Sequence, residues 1–316
     1  MSRMNGKTGV DVTAGRTLSH SIERAQLAER LGFDSIWTVQ LPDARDATQV
    51  LAAFAHSTQR IGLGTFVLPI YTRHPTAAAQ AALTLDEISG GRFRLGLGVS
   101  HRVTVESMWG LKLEHPAAAM REYLGIVRSI VTTGAASFDG RHFSAHMRYS
   151  APRREDLPIL ISALSPLMLE LAGEIADGVA LWMCAPKYIR DEVVPRVRAG
   201  RERAGKPLAG FEIAAAVPIS LTADPAAGRD AFRVTATRYA SLPFYRAALD
   251  RTFGDLMADK PPDEVLEALA GIGDEAAVRG AIDRYREAGT TLPILGLVAS
   301  HAGAAGFEQT IEAAAA

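Results

Sequence analysis

Residues 91–110 read GRFRLGLGVSHRVTVESMWG, and the fold turns on how this stretch is parsed. Gly90-Gly91 closes an amphipathic helical run, Pro75 to Ile88, as glycines do beyond a helix end. Phe93 to Val99 follows as a short apolar strand with Gly96 and Gly98 on one face. It ends abruptly in Ser100-His101, two side chains suited to acid–base or hydrogen-bond chemistry. In a barrel of alternating strands and helices, chemistry sits just past the carboxyl ends of the strands. That makes His101 the first candidate.

The same grammar recurs on both sides. Leu18 to Leu31 reads as a helix stopped by Gly32, and Asp34 to Val39 as a buried strand. Ala44 to His56 is helical, and Arg60 to Pro69 reads as one strand. Helices are expected at Pro116 to Val131, Pro166 to Ile175, Lys187 to Ala204 and Glu275 to Ala288. Strands are expected at Thr8 to Val12, Pro158 to Ser162, Gly178 to Met183, Phe211 to Leu221 and Leu292 to Ala299. Strands apolar on both faces that alternate with helices imply a parallel sheet covered by helices. About eight such units favour a closed (β/α)8 TIM barrel over a doubly wound sheet. No G-x-G-x-x-G stands at a strand–helix junction, which also argues against a dinucleotide fold. Two regions exceed the minimal barrel. Ala135 to Ala151 predicts a small β-hairpin turning at Asp139-Gly140 in a type I′ turn. Asp224 to Ala270 predicts one or two extra helices before the last βα unit, broken at Lys260-Pro261-Pro262.

The chain has 316 residues, 48% of them hydrophobic, with a formal net charge of −1, and reads as one barrel domain over residues 1–316. A balance near neutrality gives no reason to expect nucleic acid or an anionic membrane as partner. One cysteine, Cys184, excludes a disulfide framework and suits a reducing cytoplasm. Neither a signal-peptide layout nor an apolar run long enough to span a bilayer is present, so a cytoplasmic location is expected.

The strand ends narrow the chemistry. No H-x-H pair or clustered carboxylates stand there, so no metal is expected. No lysine lies inside a predicted strand, against a Schiff-base aldolase, and no carboxylate pair is placed for glycoside hydrolysis. What remains is an apolar, aromatic mouth edged by hydroxyls and histidines. Trp37, Trp109 and Trp182 all fall at or just beyond strand ends, a lining suited to a flat, uncharged ring. Ser165-Pro166 is a sound helix start whose N–H groups, with the Ser162 and Ser165 hydroxyls, suit a phosphate. Each feature also has an ordinary structural reading. Trp37 and Trp182 serve equally as core, Gln40 as a partner of loop backbone, Arg73 as a solvated loop residue, and Ser165 as a plain cap. The glycines Gly62, Gly64, Gly96 and Gly98 fit tight packing as well as ligand approach.

Three stretches resemble the bacterial luciferase-like monooxygenase family: RIGLGTFVLPIYTRHPTAAAQAALTLDEISGGRFRLGLGVSH from Arg60, LAGEIADGVALWM from Leu171, and LGFDSIW from Leu31. The order of strand, R-H-P, a helix with A-x-A-A-L-T, S-G-G-R-F and L-G-L-G is specific to that family, and the resemblance runs from about Leu18 onward. SHRVTVESMWGL and WMCAPKYIRDEVVPRV resemble the branch of coenzyme F420-dependent oxidoreductases. The resemblance implies a TIM barrel holding F420, or alternatively FMN, with the ring across the mouth and a phosphate near the fifth and sixth strands. It implies a non-proline cis peptide at Phe66-Val67, which backs the ring in related enzymes. In the F420-dependent glucose-6-phosphate dehydrogenase branch an Asp-His pair ends the second strand and a glutamate follows the fourth. Here Val39-Gln40 and His101 stand at those places, which points away from sugar phosphates.

The expected activity is hydride transfer between reduced F420 and an activated C=C, C=N or carbonyl group of a small molecule. His101 is the expected proton donor, with Ser100 and Gln40 as hydrogen-bond partners. Trp37, Phe66, Val67, Val99 and Trp182 are expected to frame the ring. Ser162, Ala163, Leu164, Ser165, Trp182 and Met183 are expected to hold the phosphate, and Arg73 or Lys187 the acidic tail. Three alternatives stand beside this reading: an FMN-dependent monooxygenase using O2, a non-catalytic cofactor- or ligand-binding barrel, and a cofactor-free lyase. The implied partners are the small substrate, an F420- or flavin-reducing enzyme, and a second copy, since family members are often dimers.

Overall fold

The computed structural model describes residues 6–13, 15, 17–257 and 260–315. In chain order its elements begin β1 (Gly9–Asp11), α1 (Leu18–Leu31), β2 (Ser35–Thr38), α2 (Ala47–Ser57), β3 (Gly62–Thr65), β4 (Leu68–Pro69), α3 (Pro75–Ser89), β5 (Phe93–Gly98) and α4 (Pro116–Thr133). They continue β6 (Ala135–Asp139), β7 (Ser144–Arg148), β8 (Ile159–Ser162), α5 (Pro166–Ile175), β9 (Gly178–Leu181), α6 (Pro186–Tyr188), α7 (Val194–Arg203) and β10 (Glu212–Leu221). The last are α8 (Pro225–Ala240), α9 (Pro243–Phe253), α10 (Asp263–Leu269), β11 (Gly271–Gly273), α11 (Glu275–Glu287), β12 (Leu292–Leu297) and α12 (Phe307–Ala315).

Eight strands close a parallel barrel in the order β1-β2-β3-β5-β8-β9-β10-β12 and back to β1. Helices form because their ends carry their own stop and start signals. Thr17 caps α1 by accepting the His20 N–H, and Gly32 ends it at φ 84°, a conformation that costs other residues a clash. Ser165 caps α5 and Asp274 caps α11.

Side chains alternate along each strand. Val10, Leu63, Leu95, Ile161, Val179 and Leu295 point outward into the layer shared with the helices. Trp37, Leu160, Ala214, Leu292 and Ile294 point inward and fill the lumen, with Phe66 packed on them. The amino-terminal end of the lumen is closed by charge. Arg94 meets Asp34 at 3.3 Å and Glu212 at 3.6 Å, and Lys7 reaches Glu212 at 3.8 Å. The other end, the carboxyl mouth, is where the inserted helices α8, α9 and α10 pack, around Phe232, Tyr245, Leu249 and Leu266.

Four expectations change. The strand read from Arg60 to Pro69 is two strands, interrupted at Phe66-Val67, where the peptide bond is cis as the resemblance implied. The hairpin exists, but its loop spans Gly140 to Phe143, and Gly140 is not in a positive-φ conformation, so the turn is not type I′. The Glu122 carboxylate explains the wider loop: it accepts the backbone N–H groups of Arg141, His142 and Phe143. The helix read from Lys187 to Ala204 is broken by a π-turn at Ile189–Val193 just before Pro195, which has no N–H for a regular ladder. The insertion holds three helices plus β11, which extends β10, and the chain ends in α12, which was not foreseen.

Candidate active site

The indole of Trp37 determines what the mouth is made of. It is fully buried in the lumen, and its N–H donates to Ser35 Oγ at 2.9 Å. A methyl group on Gly9 or Gly64 would run into its ring, so β1 and β3 must both be bare where β2 carries the indole. Phe66 lies edge-on to Trp37 at 5.9 Å and is half-buried, so it presents the upper surface of this aromatic floor.

The layer above Phe66 follows from alternation. Asp11, Gly98, Ser162, Trp182 and Gly296 all share the lumen-facing parity of their strands. On β5, a methyl at Gly98 would strike Val67 Cγ2 at 2.5 Å and Ser162 Oγ at 2.7 Å, so that glycine is packed shut. On β12, a methyl at Gly296 would meet nothing within 4 Å. The register that pairs Val10 with Leu295 brings Asp11 alongside Gly296. The mouth is therefore filled on the β5 side and open on the β12 side, with a carboxyl group at its edge.

Asp11 was not anticipated from the sequence. Its Oδ1 accepts the Thr13 backbone N–H at 2.8 Å and the Thr13 hydroxyl, whose oxygen in turn accepts the Val39 N–H at 2.7 Å. Burial pushes its pKa up, more strongly than the two Thr13 hydrogen bonds pull it down. Oδ2 makes no hydrogen bond among the described residues. The signal available in the sequence was an acid at the end of the first predicted strand, masked by the weakness of that strand.

His101 stands at the opposite side, past β5. Its ring lies 5.6 Å from Tyr245 and 6.2 Å from Tyr239, two residues of the inserted helices. Tyr239 in turn is edge-on to Trp182 at 5.6 Å. Burial and the nearby Arg238 charge both lower the His101 pKa, so the imidazole is neutral at neutral pH and a weak proton donor. Trp182 Nε1 is buried without a full hydrogen bond, though its N–H acts on the Tyr239 phenol, whose pKa burial raises and this N–H draws partly back. Ser100 and Met183 sit at φ 59° and 52°, left-handed conformations that turn the chain sharply where β5 and β9 leave the barrel. On the β10 side of the rim, His301 Nδ1 faces the Ala302 carbonyl at 2.9 Å and so carries the proton, leaving Nε2 to accept from Ser220 Oγ at 2.9 Å.

Four expected residues lie elsewhere than their roles require. Trp37 has no exposed surface and is the support beneath Phe66, because the lumen closes over it. Gln40 spends its amide on its own loop, Oε1 accepting Ala47 N–H at 2.9 Å and Nε2 donating to Leu41 O at 3.0 Å. Arg73 is held by Asp46 and the Thr48 hydroxyl, and Lys187 by Asp191 at 3.8 Å, so neither is free for an acidic tail. The β8 exit keeps its expected form. Ser165 Oγ accepts the Met168 N–H, the Leu164 carbonyl is taken by Tyr188 OH at 2.6 Å, and Ala163 and Met183 are buried. Val99 is half-buried beside the outer layer. Burial raises the Cys184 thiol well beyond reactivity. Among the described residues no group of three or more His, Cys, Asp or Glu gathers as a metal site, and no helix is long and apolar enough to cross a membrane.

Residues 4–292 match the profile of the luciferase-like monooxygenase family. A Mycobacterium tuberculosis protein named as a coenzyme F420-dependent oxidoreductase is 31% identical, over 86% of this chain and 89% of its own length. A 5,10-methylenetetrahydromethanopterin reductase of Methanolobus tindarius is 29% identical, over 86% of this chain and 88% of its own. Among solved structures, the coenzyme F420-dependent tetrahydromethanopterin reductase of Methanopyrus kandleri superposes with a TM-score of 0.81 at 24% identity, covering 98% of this chain and 97% of that one.

Proposed function

The chain belongs to the luciferase-like monooxygenase family, and on that premise we propose that it is a coenzyme F420-dependent oxidoreductase acting on a small organic acceptor with an activated C=C, C=N or carbonyl group. The observation that carries the reading is the one-sided space above Phe66, open at Gly296 and edged by the Asp11 carboxyl group, whose pKa burial raises. A flat ring fits such a space, apolar below and hydrogen-bonding at its edges. Naming of the M. tuberculosis relative for the same cofactor supports the choice.

When bound, the deazaflavin supplies or takes up the hydride. The chain's own residues do the rest. Phe66, resting on Trp37, would support the ring from below, with Val67 and Trp182 at its sides, whereas Val99 packs on the outer layer. Ser162 and Ser165, with the first turn of α5 and the walls formed by Ala163, Leu164 and Met183, would hold the phosphate-bearing chain at a helix start. In its acid form, which burial favours, Asp11 would give the acceptor a proton from Oδ2, and Thr13 fixes the carboxyl plane so that Oδ2 is the free oxygen. His101, neutral and unpaired, belongs to the wall on the acceptor's side, so the donor role expected of it passes to Asp11. Ser100 aims that wall through its turn, and Gln40 acts indirectly by fixing the start of α2. A separate F420-reducing enzyme regenerates the reduced cofactor.

The test is anaerobic titration of the purified protein with F420 and with FMN, followed by oxidation of reduced F420 against a panel of enones, imines and ketones. Micromolar F420 binding with acceptor-dependent oxidation is expected. Tight FMN binding with none for F420 would overturn the assignment.

A further inference from the structure

The geometry points to an acceptor that is a planar, π-rich ring bearing an anionic group, received by a wall made of His101, Trp182, Tyr239 and Tyr245 with Arg238 at its rim. The inference rests on the function proposed above only in taking the occupant to be the acceptor.

The wall is built from two sources. His101 and Trp182 come from the ends of β5 and β9, whereas Tyr239 and Tyr245 come from α8 and α9, which are not part of the barrel. The rings meet edge to face. Tyr239 and Tyr245 lie 4.9 Å apart at 73°, Trp182 and Tyr239 5.6 Å apart at 74°, and His101 and Tyr239 6.2 Å apart at 77°. Perpendicular packing of this kind leaves ring faces and edges available to a further flat ring, where each contact adds attraction beyond area burial. His101, Trp182 and Tyr239 are only half-buried, so the wall keeps an accessible side.

The polar tips of this wall are only partly spent on each other. The Tyr245 phenol and the His101 ring nitrogens make no hydrogen bond among the described residues, and the Trp182 N–H acts on the Tyr239 phenol without closing a full hydrogen bond. A purely structural cluster would satisfy such groups.

Arg238 supplies the charge. Its guanidinium lies over the Tyr239 ring at 5.7 Å, and its field reaches His101. It is exposed, and among the described residues no carboxylate lies within ion-pair distance. A guanidinium stacked on an aromatic face with its N–H edge free is preorganised for a carboxylate or sulfonate carried by the ring it faces. Arg238 stands on the inserted helix α8 and not on the β8 exit that carries Ser162 and Ser165, and the anion it meets is taken to be the acceptor's.

The test uses trans-cinnamate and its neutral analogue cinnamamide as probes, read by quenching of tryptophan fluorescence, which needs no turnover. Cinnamate is expected to bind the wild-type protein more tightly than cinnamamide. Arg238→Gln should weaken cinnamate roughly tenfold and leave cinnamamide unchanged. Tyr239→Ala should weaken both. F420 titrated into the same proteins should bind wild type and Arg238→Gln alike, and thermal melts check that each variant folds. Equal loss for both probes in Arg238→Gln, no cinnamate binding to wild type, or a selective loss of F420 affinity would overturn the inference. Failure of wild type to bind F420, with charge discrimination between the probes intact, would instead overturn the proposed function and leave the acceptor wall standing.

Discussion

Replacing Asp11 by Asn separates the proton from the shape of the group that holds it. The amide oxygen keeps the place of Oδ1, so the hydrogen bonds from Thr13 N–H and hydroxyl, and through them the Val39 contact, survive. What disappears is the proton on the unpartnered oxygen. Loss of a positioned general acid costs about 10²- to 10⁴-fold in rate, or roughly 2.7–5.4 kcal/mol of barrier. The floor of Phe66 and Trp37 is untouched, so F420 affinity should stay within about twofold, on the same grounds. The assay is single-turnover oxidation of reduced F420 by an active acceptor, which isolates chemistry from product release. A second readout needs no acceptor. The folded carboxyl has a raised pKa, so its favourable contribution to folding is complete below the ordinary Asp value and is lost as pH rises through the folded value. Asn carries no such burden. The melting temperature of Asp11→Asn should therefore gain on wild type as pH rises from 4 to 7, about 2–4 °C for each kcal/mol relieved. A rate within threefold of wild type would refute the proton role, and a pH-independent gap in melting temperature would refute the buried neutral carboxyl.

Three further outcomes follow from the same geometry. Gly64→Ala pushes a methyl into the Trp37 ring, which has no free space to retreat into, and should destabilise by about 1–3 kcal/mol in denaturant unfolding; Trp37→Leu in the same chain should recover part of that loss. The His101 imidazole should titrate below its ordinary pKa by NMR, and Arg238→Gln should raise it by removing a like charge; because the folded value is depressed, stability falls as pH drops below about 6.5 through the folded pKa. Asp46→Ala removes the α2 cap from Thr48 and Gln49 and should cost about 0.5–2 kcal/mol by thermal melt, whereas Arg73→Ala, losing a part-exposed ion pair, should cost less than about 1 kcal/mol and leave F420 affinity unchanged.

How much was legible depended on how local the cause is. The Phe93–Gly98 strand, the Gly32 and Gly90 helix stops and the Ser165-Pro166 start depend on residues within one turn of each other, and they stand where the sequence puts them. Alternation of apolar strands with amphipathic helices was enough to imply a closed parallel barrel, because each strand needs cover on both faces. The roles of Trp37, Gln40 and Arg73 were not legible. Each had a structural and a functional reading of equal local sense, and the choice lay with partners far along the chain: Gly64 and Phe66 for Trp37, Ala47 for Gln40, Asp46 for Arg73.

Residues 91–110 therefore determined by themselves a strand, a glycine-lined face and a polar exit, since backbone geometry and hydrophobic patterning act over a few residues. What surrounds His101 was decided only by the fold. Tyr239, Tyr245 and Arg238 come from helices more than a hundred residues later, and they bury the imidazole beside a positive charge. The pKa of Asp11, on the far rim, is raised because closure of the barrel desolvates its carboxyl group. Desolvation and charge proximity are properties of the assembled mouth, and no spacing along the chain encodes them.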